Sequence, residues 1–150
     1  MQRDYDFTSK RHVEDLDAME TIGRTAGERT VARLNPQKVA TGEYPIILDK
    51  RCSNSILGHL VGAIYGSSIA RKTSFLKDRM GDQIMASGIS VTDDPHIHRG
   101  PSSAPCDGEG VINGSLELVR EGVLQQWLLD TGTAKELGLE TNGRSGRGSP

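Results

Sequence analysis

Ser55-Ile56-Leu57-Gly58-His59-Leu60-Val61-Gly62-Ala63-Ile64-Tyr65-Gly66 decides how the rest of the chain is read. The run has helical character, with Gly58, Gly62 and Gly66 recurring every four residues. One helix face is therefore almost bare backbone. Each glycine in a helix interior costs about 1 kcal/mol relative to alanine. A sequence that carries several such costs needs something to approach that face closely: a substrate, a metal, or another segment of protein. The spacing matches the small-xxx-small pattern of close helix contact. A phosphate loop is excluded, because no Lys-Ser or Lys-Thr follows at Walker spacing.

Moving outward from this helix, Ser53 or Asn54 is expected to cap its start. Before them, Tyr44-Pro45-Ile46-Ile47-Leu48-Asp49 reads as a buried strand with Pro45 at its first position. Residues 37–43 form a polar connector. Met19, Ile22, Ala26, Thr30 and Leu34 recur at three- and four-residue spacing and predict an amphipathic helix from Asp17 to Leu34. Asp15 or Asp17 would cap it, Arg29 and Arg33 suit its C-terminal end, and Asn35-Pro36 stops it. Arg3 to Thr8 alternates like an edge strand.

Downstream, Arg71 to Gln83 reads as a broken helix or an ordered loop, with Phe75, Leu76, Met80 and Ile84 at helical spacing. Ile89 to Thr92 is a strand, and Asp93 to Gly110, with three prolines, is a long loop. Ser115–Arg120 and Val123–Leu129 around Glu121-Gly122 predict a β-hairpin. Thr131 or Thr133 caps a short helix through Leu137 that Gly138 ends. Thr141 to Pro150 is too rich in Gly, Ser, Arg and Asn to build a core. Helices and hairpins mix without a βαβ period, so the fold class is α+β, with mixed strands, a β-hairpin and the glycine-rich helix.

Composition narrows the function. In 150 residues, 35% are hydrophobic and 4% aromatic, so the core is aliphatic and modest. A formal charge of −2 gives no electrostatic basis for direct nucleic-acid binding. No apolar run reaches the roughly 18–20 residues of a membrane span, and the N-terminus lacks the apolar core of a signal peptide. Two distant cysteines, Cys52 and Cys106, make no disulfide framework, and a reducing, cytoplasmic setting is the default.

Each candidate site has a chemical and a plain reading. In Asp93-Asp94-Pro95-His96-Ile97-His98, the two histidines could chelate a metal with Asp94 or Asp93 beside them, but zinc needs three or four convergent ligands and Pro95 and Pro101 indicate a loop. His59 is a packed histidine or a ligand. Asp107 and Glu109 are paired carboxylates for acid–base work or parts of a glycine-rich turn. Cys106 has no assigned base that would make it a nucleophile. Arg144 and Arg147 could bind anions or belong to a solvated tail.

Several strings in one order resemble the PmbA (TldE) branch of the TldD/PmbA family: Gly42-Glu43-Tyr44-Pro45, Gly58-His59-Leu60-Val61-Gly62-Ala63, Phe75-Leu76-Lys77-Asp78, Asp93-Asp94-Pro95-His96, Asp107-Gly108-Glu109-Gly110-Val111, Leu128-Leu129-Asp130-Thr131, and Leu137-Gly138-Leu139-Glu140. The resemblance implies a cytoplasmic bacterial zinc metalloprotease built from TldD and TldE, also labelled a modulator of DNA gyrase, that processes or degrades peptides and unfolded proteins. In that picture TldD carries zinc on a His-Glu-x-x-x-His helix. Laid against that motif, the first ligand here is Gly58, the glutamate is His59 and the second ligand is Ala63. Glycine and alanine have no donor atom, so the resemblance implies a non-catalytic subunit of a heterodimer, with no cofactor of its own, zinc held by a TldD-like partner, and a peptide or unfolded protein as substrate. Two alternatives stand beside it: a stand-alone metallopeptidase using the His/Asp loop, and a gyrase-modulating binding protein. The family chains are longer, so this one is expected to be an internal piece, with residues 1–41 ending the middle region and residues 42–150 beginning the C-terminal domain.

Overall fold

The computed structural model describes residues 1–146, arranged as two compact units, Met1–Ile46 and Ile47–Pro150. In the first unit, a 3-10 turn (Val13–Asp15) precedes helix α1 (Met19–Ala32). The expected caps Asp15 and Asp17 are not used; Ala18 holds the N-cap position without a side-chain bond. The edge strand expected at Arg3–Thr8 is absent. That segment is fixed by charge instead of ladder bonds. Asp4 lies 2.8 Å from Arg33 Nε and Asp6 lies 2.9 Å from Arg29 Nη1, so the arginines at the end of α1 anchor alternate residues of an extended chain. Tyr5 and Phe7 stack with ring centroids 6.2 Å apart.

The strand expected at Tyr44–Asp49 also does not form, and Ile46 and Ile47 are 81% and 97% exposed. An apolar run becomes a strand only when a ladder partner takes up its amides and carbonyls. No described residue supplies one here.

The second unit holds helix α2 (Lys50–Ile64), helix α3 (Gly66–Ala70), strands β1 (Val91–Asp93), β2 (Leu116–Arg120) and β3 (Val123–Leu124), and helix α4 (Thr131–Leu137). Together these make an α+β fold with an antiparallel sheet in the order β1-β2-β3. Val91 faces Val119, and a bulge then shifts Thr92 opposite Glu117. The hairpin turn forms where expected, with φ of 46° at Glu121 and 81° at Gly122, the pair of positive values that a two-residue turn matching strand twist requires. Gly122 cannot be replaced freely: its N–H donates to the Ile89 carbonyl at 2.7 Å, its carbonyl accepts from Ile84 and Met85, and an added Cβ would lie 2.7 Å from the Ala86 carbonyl.

The core joins the end of α2 to the hairpin. Ile64, Val119 and Leu124 are fully buried, with Leu60, Leu76, Leu118 and Leu128 around them. Residues 71–83 form turns, which resolves the broken-helix alternative in favour of an ordered loop. The helical run breaks at Tyr65 (ψ 133°), where Gly66 N–H donates to the Leu128 carbonyl at 2.7 Å and Leu128 N–H donates to Ile64 at 3.0 Å. A short parallel bridge thus pins the α2–α3 corner to the chain leaving the hairpin.

Asp130, not Thr131 or Thr133, caps α4, accepting from the Thr133 amide and hydroxyl at 2.7 Å each, and Gly138 ends it in the left-handed conformation (φ 68°). The expectation that Thr141 onward stays out of the fold is corrected for residues 141–146. They pack by polar contacts where apolar area is missing: Asn142 accepts from Leu129 N–H at 2.8 Å and donates to the Trp127 carbonyl at 2.7 Å.

Candidate functional site

The glycine helix starts from its sequence. Asp49 accepts from Arg51 N–H at 2.9 Å and is the N-cap, displacing Ser53 and Asn54 from that expected role, because the helix begins three to four residues earlier than read. The apolar residues near its C-terminal end, Leu60, Ala63 and Ile64, enter the core. Its first ten residues stay exposed apart from half-buried Ser53, and Ile56 and Leu57 are 53% and 46% exposed.

The three glycines do different work. Gly66 is closely approached: an added methyl would collide with the Thr133 side chain and sit 3.0 Å from the Leu128 carbonyl. Nothing lies within 4 Å of where a Cβ would stand on Gly58 or Gly62. Beside that bare stretch is a cleft of about 440 Å³ between α2 and the turn after α3, walled by Gly58, His59, Gly62, Ala63, Thr73 and Phe75. His59 is exposed on the helix, while Ala63 is buried.

The metal chemistry that the resemblance implies does not fit this cleft. Zinc takes nitrogen, sulfur or carboxylate donors from at least three side chains. Gly58 and Ala63 have no donor, and the remaining polar walls are an imidazole and hydroxyls. Among the described residues no group of three His, Cys, Asp or Glu side chains is placed to hold a metal.

The loop residues are not brought together as a chelate either. Asp93 is held by Arg144, with Nε 2.5 Å from its Oδ2. Asp94 accepts from the His96 amide at 2.9 Å, a local turn. His96 and His98 are exposed.

Asp107 and Glu109 are not an acid–base pair but fasteners. Asp107 is 7% exposed and accepts from the amides of Glu109, Val111 and Ser145, each at 2.9 Å. Burial alone pushes its carboxyl upward; the three amides, with the Arg144 charge, outweigh burial and hold it below its ordinary value. Glu109 accepts from Thr131 N–H at 2.9 Å, just ahead of α4.

Arg144 is not an anion site. Its guanidinium donates to Asp93 and to the carbonyls of Gly114, Asn142 and Gly143. Arg147 lies outside the described residues. Cys106 sits in an isolated bridge to Ile112, Cys52 is exposed on α2, and neither is in a disulfide.

Sequence reasoning missed Asn113. It is 9% exposed, its side-chain oxygen has no hydrogen-bond partner among the described residues, and it lines a second cavity of about 500 Å³ with Asp94, Asp107 and Arg144. No local pattern marks an asparagine whose surroundings come from residues 93–107 and 143–145.

The PmbA/TldA metallopeptidase C-terminal domain family matches residues 41–150. Metalloprotease PmbA of Escherichia coli O157:H7 is 39% identical over 97% of this chain and 32% of its own length, and the PmbA homologue of Haemophilus influenzae is 36% identical over the same shares. The chain thus spans about a third of the length of these curated relatives. A crystal structure from Bacteroides thetaiotaomicron, described as a candidate modulator of DNA gyrase, superposes with a TM-score of 0.85 at 28% identity, over 92% of this chain and 31% of that one. TldE from Thermococcus kodakarensis superposes with a TM-score of 0.55 at 27% identity, over 59% of this chain and 20% of that one. The chain belongs to the TldD/PmbA family, and residues 41–150 carry its PmbA/TldA metallopeptidase C-terminal domain.

Proposed function

We propose that the chain acts as a PmbA/TldE-type subunit of a cytoplasmic metalloprotease, itself non-catalytic, beside a TldD-like partner that holds the zinc. The observation that carries this reading is the donor chemistry of α2: Gly58 and Ala63 stand where the metal-binding motif needs two histidines, and His59 stands where it needs the glutamate. The helix itself and an adjoining cleft are retained. A cleft with family geometry but no ligand set suits holding or guiding a polypeptide more than cleaving it.

The test is co-purification with a TldD-like protein, followed by peptide cleavage by the partner with and without this chain, and zinc analysis of each. The expected result is a stable complex, cleavage that requires the partner's zinc, and no stoichiometric zinc on this chain alone. Peptide cleavage by the purified chain alone, abolished by a chelator, would overturn the reading.

A further inference from the structure

The cavity that includes Asn113 is separate from the α2 cleft and carries its own chemistry. Three carboxylates, Asp93, Asp94 and Asp107, and one guanidinium, Arg144, line it. Arg144 is spent on Asp93 and three carbonyls, so an anion finds no donor there. Both oxygens of Asp107 are taken by backbone amides. What remains for a ligand is the carboxylate of Asp94 and the amide of Asn113. Pro95, Ile97, Pro101 and Ala104 add apolar wall. A volume of about 500 Å³ lies in the range of small-molecule sites.

We propose that this cavity binds a small organic cation, an ammonium or guanidinium on an aliphatic stem. The stem lies along the apolar wall, as the methylenes of lysine and arginine do on protein surfaces. The head pairs with Asp94 and donates to Asn113, whose oxygen is a buried acceptor without a donor. That oxygen is sealed, so meeting the ligand takes a turn of the amide about its Cβ–Cγ bond toward the cavity. No metal ion competes for the role, because no three suitable ligands converge among the described residues. The inference does not rest on the subunit role; the cation site stands or falls by binding alone.

Titration of the full chain, followed by backbone NMR, tests it with three probes: agmatine, N-acetyl-arginine amide and the neutral N-acetyl-norleucine amide. Both cations are expected to shift the resonances of Asn113, Cys106 and Gly143, and norleucine amide is not. Asp94→Asn keeps the acceptor that the His96 amide uses while removing the charge, and should weaken cation binding about tenfold. Asn113→Ala should weaken it several-fold. Tighter binding of the peptide-like probe identifies a protein side chain as the source, and tighter binding of agmatine identifies a free amine; either supports the site. Equal shifts with norleucine amide, unchanged affinity in Asp94→Asn, or no shift up to about 10 mM cation would overturn it.

Discussion

Gly58 and Gly66 share a residue type and a helical spacing, yet only the second has a packing reason inside this chain. Replacing Gly66 by alanine drives a methyl into Thr133 and toward the Leu128 carbonyl, which neither a rotamer change nor a surface shift relieves. We expect a loss of about 1–3 kcal/mol in urea unfolding. Gly58→Ala and Gly62→Ala meet open space and remove the flexibility of glycine from the unfolded helix, so each should raise stability by about 0.5–1 kcal/mol in the same measurement. If either of them destabilises the chain, something packs on that face after all. Asp107 makes the pH dependence at this scale. Its carboxyl is held below its ordinary value in the folded state, so the unfolded chain takes up the proton first as pH falls. Its contribution is complete above the ordinary aspartate value of 3.8 and is lost as pH drops from there through the folded value. Unfolding curves across that window should show a steeper acid loss in the wild type than in Asp107→Asn, which begins less stable because its amide cannot accept from Ser145 as the carboxylate does.

At the scale of elements, the best-read parts of the chain were those whose signal is local. Glu121-Gly122 fixed a hairpin because its two positive φ values are a property of two adjacent residues. The α1 and α4 spans followed from spacing and from Gly138. The caps were less legible, since Asp49, Ser53 and Asn54 all qualify by residue type, as do Asp130, Thr131 and Thr133. Only the turn geometry selects among them. Asp130→Ala removes the acceptor for both the amide and the hydroxyl of Thr133, and should cost about 1 kcal/mol in thermal or urea unfolding. The two strands read at Arg3–Thr8 and Tyr44–Asp49 failed for one physical cause. Alternation and apolar runs report which faces a segment could bury, while a strand exists only through its neighbour. Arg29 and Arg33 captured the first segment by ion pairs, and the second found no ladder among the described residues.

At the scale of the whole molecule, family membership was legible because several separated strings occurred in one order, and the α+β class because the helices and the hairpin do not alternate. The cavity beside Asn113 was not, since its walls come from residues 93–107, Asn113 and residues 143–145. The polypeptide between the helix of one unit and that of the other carries no secondary structure from Pro36 to Asp49 and is exposed. Limited trypsin digestion should therefore cut first at Lys38 and leave a resistant product that begins close to the second unit, as mass spectrometry would show. The absence of a donor set on α2 makes a further whole-chain prediction: added zinc or chelator should leave the melting temperature of this chain unchanged.

The bridge between Tyr65 and Leu128 gives α2 the mechanics of a cantilever. At 1.5 Å per residue the helix is about 22 Å long, clamped where Leu60 and Ile64 enter the core and where Gly66 and Leu128 exchange bonds with the corner. Its opening turns are fixed only through their own backbone ladder. Amide exchange should accordingly slow step by step from Ser53 to Ile64, a gradient along one helix. A weight placed on the exposed end, whether a partner or a peptide, would be felt at Leu128, the point where the beam is clamped.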